Sequence, residues 1–271
     1  KLPVEVQMAG LDKAKERIEL RFSGKVGVDM GYSTKSAYGE HKTERLLKES
    51  ARKKVLIASH CFFDSPHCYG NNLFPDFYEW LDFLGKMTLE TDYDWYIKTH
   101  PDYLPGTMEV IESFMRKYPK LILLPSDSSH HQIIKEGIDV ALTCYGTIGF
   151  EYAAQGILVV NASMNNPHIA YNFNLHPKNV DEYHDVLKNI DSNSLSIDKN
   201  EVYEYYFMRN IFNAKDWLFD NYLDTIEEVG GYFELFTSKS YGVWMRECSD
   251  KKHKRMLETV ASFVDNGSSR I

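Results

Sequence analysis

Five short apolar runs, separated by segments with helical periodicity, are the feature of this sequence that most restricts its fold. The runs are Val55–Ser59, Trp95–Thr99, Leu121–Leu124, Val140–Thr143 and Leu158–Asn161. Each run is too short for a typical helix and is apolar at successive positions, as expected for strands buried on both faces. Phe77–Leu89, Met108–Tyr118 and Ser128–Lys135 predict helices between them, the last with Ser126 or Asp127 as its N-cap. The pattern therefore predicts an α/β fold with a Rossmann-type, doubly wound parallel sheet.

The regions on either side of this alternation differ from it in composition. Residues 1–52 combine an amphipathic helical pattern over Val4–Phe22 with a segment rich in Gly, Ser, Lys and Tyr. Residues 53–190 hold the predicted Rossmann-like domain, and residues 191–271 are predicted to form a helical carboxyl-terminal extension. Acidic residues interrupt the aromatic run after Asn200, so we interpret that run as core or interface rather than as a surface for stacking nucleic-acid bases.

Composition argues against several classes of function. The chain has 31 Lys and Arg residues against 39 Asp and Glu residues, a formal net charge of -8, so no broad nucleic-acid surface is expected. The four cysteines match no zinc-binding spacing, which favours reduced thiols and predicts no metal site. No run of eighteen apolar residues and no leader pattern occurs. We therefore expect a cytoplasmic protein, with peripheral contact at the inner membrane as the alternative.

Polar residues follow all five predicted strands. Parallel strands end at one edge of the sheet, and ligands of open α/β sheets bind beyond that edge. The candidate site residues are Ser59, His60, Asp64 and His67 after the first strand, Lys98, His100 and Pro101 after the second, Ser126 and Ser128 after the third, Tyr145, Gly146, Thr147 and Glu151 after the fourth, and Asn165 and His168 after the fifth.

The stretch TCYGTIGFEYAAQGILVV predicts an anion site. Gly146 and Thr147 lie between a strand and a helix, where free backbone N–H groups and the helix dipole favour a negative charge. A diphosphate or sugar phosphate would fit this position. Glu151, one turn later, is positioned either to accept hydrogen bonds from a ribose diol or to act as an ordinary helix-start carboxylate. The sequence lacks GxGxxG after its first strand and lacks GxxxxGK[ST], which argues against a dinucleotide site and a triphosphate hydrolase.

The pairing of KTHPD with the later GTIGFEYAAQGILVV resembles the carboxyl-terminal, nucleotide-binding half of GT-B glycosyltransferases. The resemblance is to the enzymes of bacterial capsule and surface-polysaccharide synthesis that include the Kdo transferases. It covers roughly Lys53 to Leu187, and SHCFFDSPH adds to it. The resemblance implies that His100, Pro101, Gly146 and Thr147 hold the donor nucleotide and that Glu151 contacts its ribose.

The same resemblance implies a metal-independent glycosyltransferase without a cofactor, whose donor substrate is CMP-Kdo or another nucleotide-activated sugar. Its acceptor would be a glycan or a lipid-linked glycan. The chain departs from the family at its amino-terminal side, because residues 1–52 are too few for an acceptor-binding Rossmann domain. That domain is expected to be missing, supplied by sequence outside this chain, or replaced by something smaller. Residues 1–52 are interpreted as a linker or as the remnant of such a domain. Three alternatives stay open: a nucleotide-binding half that is inactive alone, a GT-B-fold polyol-phosphate transferase, and an NDP-sugar epimerase.

Three candidates are assigned to catalysis, namely His100, His60 and Asp64. An imidazole can donate a hydrogen bond to a leaving phosphate oxygen, and Asp64 can orient a histidine or act as a base. Asp64 is equally consistent with an ordinary turn residue, and zinc binding by this cluster is the lesser alternative. The base of the nucleotide is predicted to lie against the loops after the third and fifth strands, near Ser126 and Asn165.

Overall fold

Five parallel strands form the sheet that the apolar runs predict. The computed structural model describes residues 2–29, 35–40, 42–63, 67, 69–100, 103–212 and 222–266. The strands are β1 (Lys54–Ala58), β2 (Asp94–Lys98), β3 (Leu121–Leu123), β4 (Val140–Thr143) and β5 (Leu158–Asn161). They are arranged in the order β3-β2-β1-β4-β5, and each neighbouring pair is parallel. The predicted Rossmann-like α/β fold is confirmed, and predicted strand limits differ from the observed ones by at most one residue.

Helices follow the strands and cover the sheet. They are α2 (Phe77–Glu90), α3 (Thr107–Lys117), α4 (His130–Lys135), α5 (Ile148–Ala154) and α6 (Val180–Lys188), and α1 precedes the sheet at Val4–Phe22. The start of α2 follows from Asp76, whose carboxylate accepts the Glu79 N–H at 2.9 Å and so satisfies a free backbone donor. The start of α4 differs from the prediction of a helix from Ser128 capped by Ser126 or Asp127. Ser129 occupies the N-cap there, without a side-chain capping bond.

The strands are buried on both faces. Val55 and Ile57 of β1 belong to one hydrophobic cluster with α2 and α3, whereas Leu56 belongs to a second cluster with α4 and α5. Successive side chains of a strand point to opposite faces, so both sets of apolar residues need a helical layer. This two-sided burial explains why the runs are apolar at successive positions instead of alternating.

The amino-terminal helix packs on the aromatic segment, and the aromatic segment packs on α5. The aromatic segment begins with α7 (Lys199–Tyr206) and continues in a π-helix over Phe207–Phe212. With α1 and α5 it forms a third cluster, whose buried members are Ala14, Ile18, Phe150, Ala153, Ala154, Phe173, Val202, Tyr205, Tyr206 and Phe207. The interpretation of the aromatic run as core is thus confirmed for this part. The predicted division at residues 52 and 190 stays a prediction, but both flanks bury apolar surface against the central region.

Three further helices lie towards the carboxyl end of the chain: α8 (Tyr222–Val229), α9 (Ser238–Glu247) and α10 (Lys254–Asn266). A 3-10 helix over Tyr232–Phe236 lies between α8 and α9 and contacts both. Large apolar side chains stay exposed in this part, including Phe233 and Phe236. Within the described ranges, the helices are all too short or too polar to cross a lipid bilayer.

Candidate functional site

The strand order reverses between β1 and β4, and this switch point opens the crevice in which ligands of such sheets bind. The loop after β1 contributes His60, and the loop after β4 contributes Gly146 and Thr147. Lys98 and His100 come from the end of the neighbouring strand β2. A Cβ atom built on Gly146 would lie 3.4 Å from Cε1 of His60, so the loops after β1 and β4 are in direct contact.

His60 organises the loop after β4. Its Nε2 accepts the Cys144 N–H at 3.2 Å and the Thr143 hydroxyl at 3.0 Å, so the proton of the neutral ring is on Nδ1. The ring stacks on Phe77 with centroids 4.5 Å apart. Burial, with a smaller contribution from His100, lowers the pKa of His60 to about 3. His60 is therefore neutral at physiological pH. Its Nδ1–H is a hydrogen-bond donor that neither Cys144 nor Thr143 uses.

The backbone N–H of Gly146 is already used inside the protein. It donates to Oγ1 of Thr143 at 3.0 Å, which completes a chain from Gly146 through Thr143 to His60. We expected this N–H to donate to a bound anion, but the hydroxyl oxygen of Thr143 accepts its hydrogen bond instead. The amides that remain at the start of α5 are those of Thr147 and Ile148, which have no intrahelical acceptor.

Lys98 places an ammonium group at the end of β2, against the loop that follows β3. Its side chain is buried at the last residue of β2, and Nζ donates to the backbone oxygen of Ser126 at 3.1 Å. Burial lowers the pKa of Lys98 to about 8, while the carboxylates of Asp127 and Glu151 act in the opposite direction. A buried, poorly hydrated ammonium with a lowered pKa at a strand end is a candidate functional group.

The Lys98→Met variant is expected to lose a pH dependence that the wild-type protein has. Below pH 8 Lys98 is charged in both the folded and the unfolded protein, so the folded protein carries the full cost of burying the charge. Between about pH 8 and 10.5 Lys98 loses its proton in the folded protein but keeps it in the unfolded protein. Wild-type stability should therefore rise with pH in this window, by up to about 1.4 kcal/mol per pH unit. Denaturant unfolding across the window measures this slope, with Lys178→Met as the exposed-lysine control. A slope unchanged in Lys98→Met would contradict the assignment.

Glu151 is not open to a ligand. Its side chain is 3 % exposed; Oε1 accepts from Nη2 of Arg21 at 2.5 Å, and Oε2 accepts from the hydroxyl of Tyr38 at 2.9 Å. The donors come from α1 and from the segment that follows it, so the amino-terminal part of the chain reaches the start of α5. Neither residue was among the candidates. The sequence signal that could have indicated them is the pair Arg17 and Arg21, one turn apart on the amphipathic helix.

The structure does not bring Ser126 and Asn165 together around one base. Their loops follow β3 and β5, which are the opposite edges of the sheet, four strand spacings or roughly 19 Å apart. Asn165 instead donates to the backbone oxygen of Tyr69 at 2.6 Å. Ser126 lines a cavity of about 240 Å³ beyond β2 and β3, together with Thr99, Tyr103, Met108, Leu123, Leu124 and Pro125.

The other candidates lie at varied distances from the switch point. Ser59 extends the β1–β2 ladder through its N–H to the Lys98 oxygen, and the Tyr145 ring packs against His60 at 4.7 Å. His67 is exposed, whereas Ser128 is buried with no hydrogen-bond partner for its hydroxyl in the described part of the chain. Asp64 and Pro101 lie outside the described residues.

His168 lies on the far side of α5, inside the hydrophobic cluster. It is 1 % exposed, and its ring packs between Phe173 and Tyr205. Among the described residues neither ring nitrogen has a hydrogen-bond partner, and burial lowers the pKa of His168 to about 3. A ligand at the switch point would be separated from this ring by α5, so its predicted binding role has no support in the geometry.

The described residues contain no group of three or more His, Cys, Asp or Glu side chains arranged to hold a metal ion. The described strand-end residues include several hydrogen-bond donors and cations: the imidazoles of His60 and His100, the ammonium of Lys98, and the first backbone amides of α5.

Comparisons with known proteins give one distant likeness to report. The chain matches no protein-family model and has no significant match among curated proteins. Among solved structures it is similar to Thermosulfurimonas dismutans KpsC, a beta Kdo 2,4 transferase, with 13% sequence identity and a TM-score of 0.45. The similarity covers 73% of this chain and 55% of KpsC, so the chain spans about half the length of that protein.

Proposed function

We propose that this chain binds the nucleotide-activated sugar of a GT-B-type glycosyltransferase that builds a bacterial capsule or surface polysaccharide. The observation that carries the proposal is the presence of hydrogen-bond donors at the ends of three neighbouring strands, β2, β1 and β4, with the loops after β1 and β4 in direct contact. His60 offers Nδ1–H, the start of α5 offers the amides of Thr147 and Ile148, and Lys98 adds an ammonium group. Such a set recognises an anion with several acceptor oxygens, which is what a nucleotide phosphate presents.

The cavity beyond β2 and β3 is the proposed position of the base. Its walls include Tyr103, Met108 and Leu124, and the hydroxyl-bearing residues Thr99 and Ser126 stand among them. Apolar walls with a few placed polar groups are typical of small-molecule sites. The end of β2 joins this cavity to Lys98 and His100, so a nucleotide could place its base in the cavity and its phosphate at the switch point.

His100 is the proposed catalytic donor. It is exposed at the end of β2, and its effect on the pKa of His60 indicates that the two rings are near each other. During glycosyl transfer negative charge grows on the leaving phosphate, and prearranged donors stabilise that charge best in a site with limited water. In this proposal the imidazole, the ammonium and the backbone amides stabilise the leaving group without a metal ion. CMP-Kdo is the first donor to test, with a glycan or lipid-linked glycan as acceptor.

Thermal unfolding in the presence of CMP, CDP, UDP and GDP tests the proposal. A ligand that binds only the folded state stabilises it by mass action, by about 2.7 kcal/mol at a hundredfold excess over Kd. We expect one nucleotide at millimolar concentration to raise the melting temperature, and inorganic phosphate at the same concentration to do so less. No stabilisation by any of the four would contradict the proposed function. Equal stabilisation by phosphate alone would reduce the site to an anion site without a base subsite.

A further inference from the structure

The carboxylate that the family resemblance assigns to the donor ribose is held by the chain's own amino-terminal segment. Arg21 and Tyr38 each bind one oxygen of Glu151, as described above, and the carboxylate is almost completely buried. A ribose diol would have to enter a closed site and compete with a guanidinium for the same oxygens. Removing Arg21 from Glu151 would leave buried charge without its partner, which is strongly unfavourable.

Arg21 is itself fixed from a second side. Its Nη1 donates to Oδ2 of Asp29 at 3.0 Å, and Asp29 also binds Arg17 and the hydroxyl of Tyr206. Asp29 and Glu151 are both nearly buried, so two guanidinium groups face two carboxylates and the charges balance. Burial acts to lower the pKa of Arg21, but Glu151 and Asp29 outweigh it and raise the pKa overall. The guanidinium therefore stays charged and keeps a single orientation.

This orientation brings Arg21 to the start of α5. Nη2 lies 3.5 Å from Oγ1 of Thr147, and the guanidinium carbon lies 5.8 Å from the ring centre of Phe150. A guanidinium has five N–H donors, and the carboxylates use one on each Nη. Its Nε–H is buried and has no hydrogen-bond partner within the described part of the chain. Arg21 thus brings a fixed cation to the position at which we place the donor phosphate, and one N–H of its Nη1 is used neither by the two carboxylates nor by Thr147.

We infer that Arg21 is a phosphate-binding residue of the donor site and that Glu151 is a positioning residue that acts through Arg21 without contacting the ribose. This inference rests on the proposed function. It assigns α1 to the donor site, although α1 precedes the Rossmann-like domain in sequence. Arginine suits the task because its planar group can bind one anion while other N–H groups keep their carboxylate partners.

A purely structural role for the network would give a different result in binding experiments. A clamp between α1 and α5 would change stability but would leave the contribution of the phosphate to affinity intact. A ribose-binding Glu151 would make affinity depend on the ribose hydroxyls. The discriminating measurement is therefore how affinity changes with the chemistry of the ligand, for a set of conservative variants.

The experiment compares three ligands by calorimetry: the nucleotide that stabilises the wild type most, its nucleoside, and its 2′,3′-dideoxy analogue. We expect Arg21→Lys and Glu151→Gln each to weaken nucleotide binding by about ten- to a hundredfold, the range of one charge-assisted hydrogen bond. Nucleoside binding should be unchanged in both variants, and so should the affinity ratio between the nucleotide and its dideoxy analogue. Arg116→Lys, at an exposed position in the last turn of α3 and outside this network, is the control and should bind all three ligands as the wild type does.

Each alternative outcome identifies what has failed. If Glu151→Gln abolishes the preference for the ribonucleotide over its dideoxy analogue, Glu151 reads the ribose and the inference is wrong. If Arg21→Lys binds the nucleotide as tightly as the wild type, the network is only a structural clamp. If the wild type binds no nucleotide, the proposed function fails and the inference fails with it. Should either single variant not fold, the double variant Arg21→Met with Glu151→Met removes both charges together, and a selective loss of phosphate affinity is expected there as well.

Discussion

Replacement of His100 by alanine is expected to lower the turnover of the sugar donor by about ten- to a thousandfold while weakening nucleotide binding less. His100 is exposed at the end of β2, next to the switch point, so its imidazole can reach a bound phosphate from the solvent side. In the proposed mechanism, the hydrogen bond from His100 strengthens as charge develops on the leaving oxygen. The loss should therefore appear in kcat more than in the affinity for the donor.

Release of free nucleotide from the donor measures this turnover, and calorimetry measures nucleotide affinity in the same variants. His184→Ala is the matched control, because His184 lies on α6 with its Nε2 3.0 Å from Oε2 of Glu90, the last residue of α2, which precedes the start of β2. Both variants should melt near the wild-type temperature. Full turnover in a folded His100→Ala protein would remove His100 from the mechanism.

Replacement of Gly149 by alanine is expected to lower the free energy of unfolding by about 1–3 kcal/mol, the usual cost of overpacking a core. A Cβ atom at Gly149 would lie 2.4 Å from Cε1 and 2.7 Å from Nδ1 of His168. The imidazole cannot move away easily, because it is buried between Phe173 and Tyr205. The added methyl group must therefore push α5 and His168 apart.

Denaturant unfolding of Gly149→Ala tests this prediction against Gly242→Ala in α9. A Cβ atom at Gly242 meets nothing within 4 Å, so that change should stabilise the helix by about 0.5–1 kcal/mol. A second comparison adds His168→Ala, which removes the clashing ring. The double variant should lose less stability than the sum of the two single variants. If the free energy of unfolding of Gly149→Ala equals that of the wild type, α5 is less tightly packed than the distances indicate.

The secondary structure was largely predictable because it depends on local patterns. The strands are recognisable from apolar residues at successive positions, and α1 is recognisable from its helical periodicity over Val4–Phe22. The start of α4 was predicted two residues too early, because Ser128 was expected to begin the helix and Ser129 takes the N-cap. Helix ends depend on single capping contacts, which composition alone does not specify.

The candidate site was predictable only as a set of strand ends. That residues such as His60, Lys98 and Gly146 lie at one edge follows from parallel strands, which any βαβ pattern implies. The order of those strands does not follow, because the hydrogen bonds between strands join residues that are far apart in sequence. For this reason the sequence could not assign Ser126 and Asn165 to opposite edges of the sheet. The hydrogen bond from the Gly146 N–H to Thr143 could not be predicted either, because it depends on the geometry of the turn after β4.

By itself, the sequence determined the fold class, the strand and helix positions, and the polar residues that gather beyond the sheet, since each of these arises from periodicity within short windows. Only the tertiary structure decided which of those residues meet, and it added one that no motif indicated. Arg21 and Glu151 are 130 positions apart, and their ion pair forms because α1 packs on α7, which packs on α5, in a cluster that includes Ala14 and Ile18. Packing of that kind depends on the shapes of two distant surfaces, and local sequence patterns contain no information about which surfaces meet.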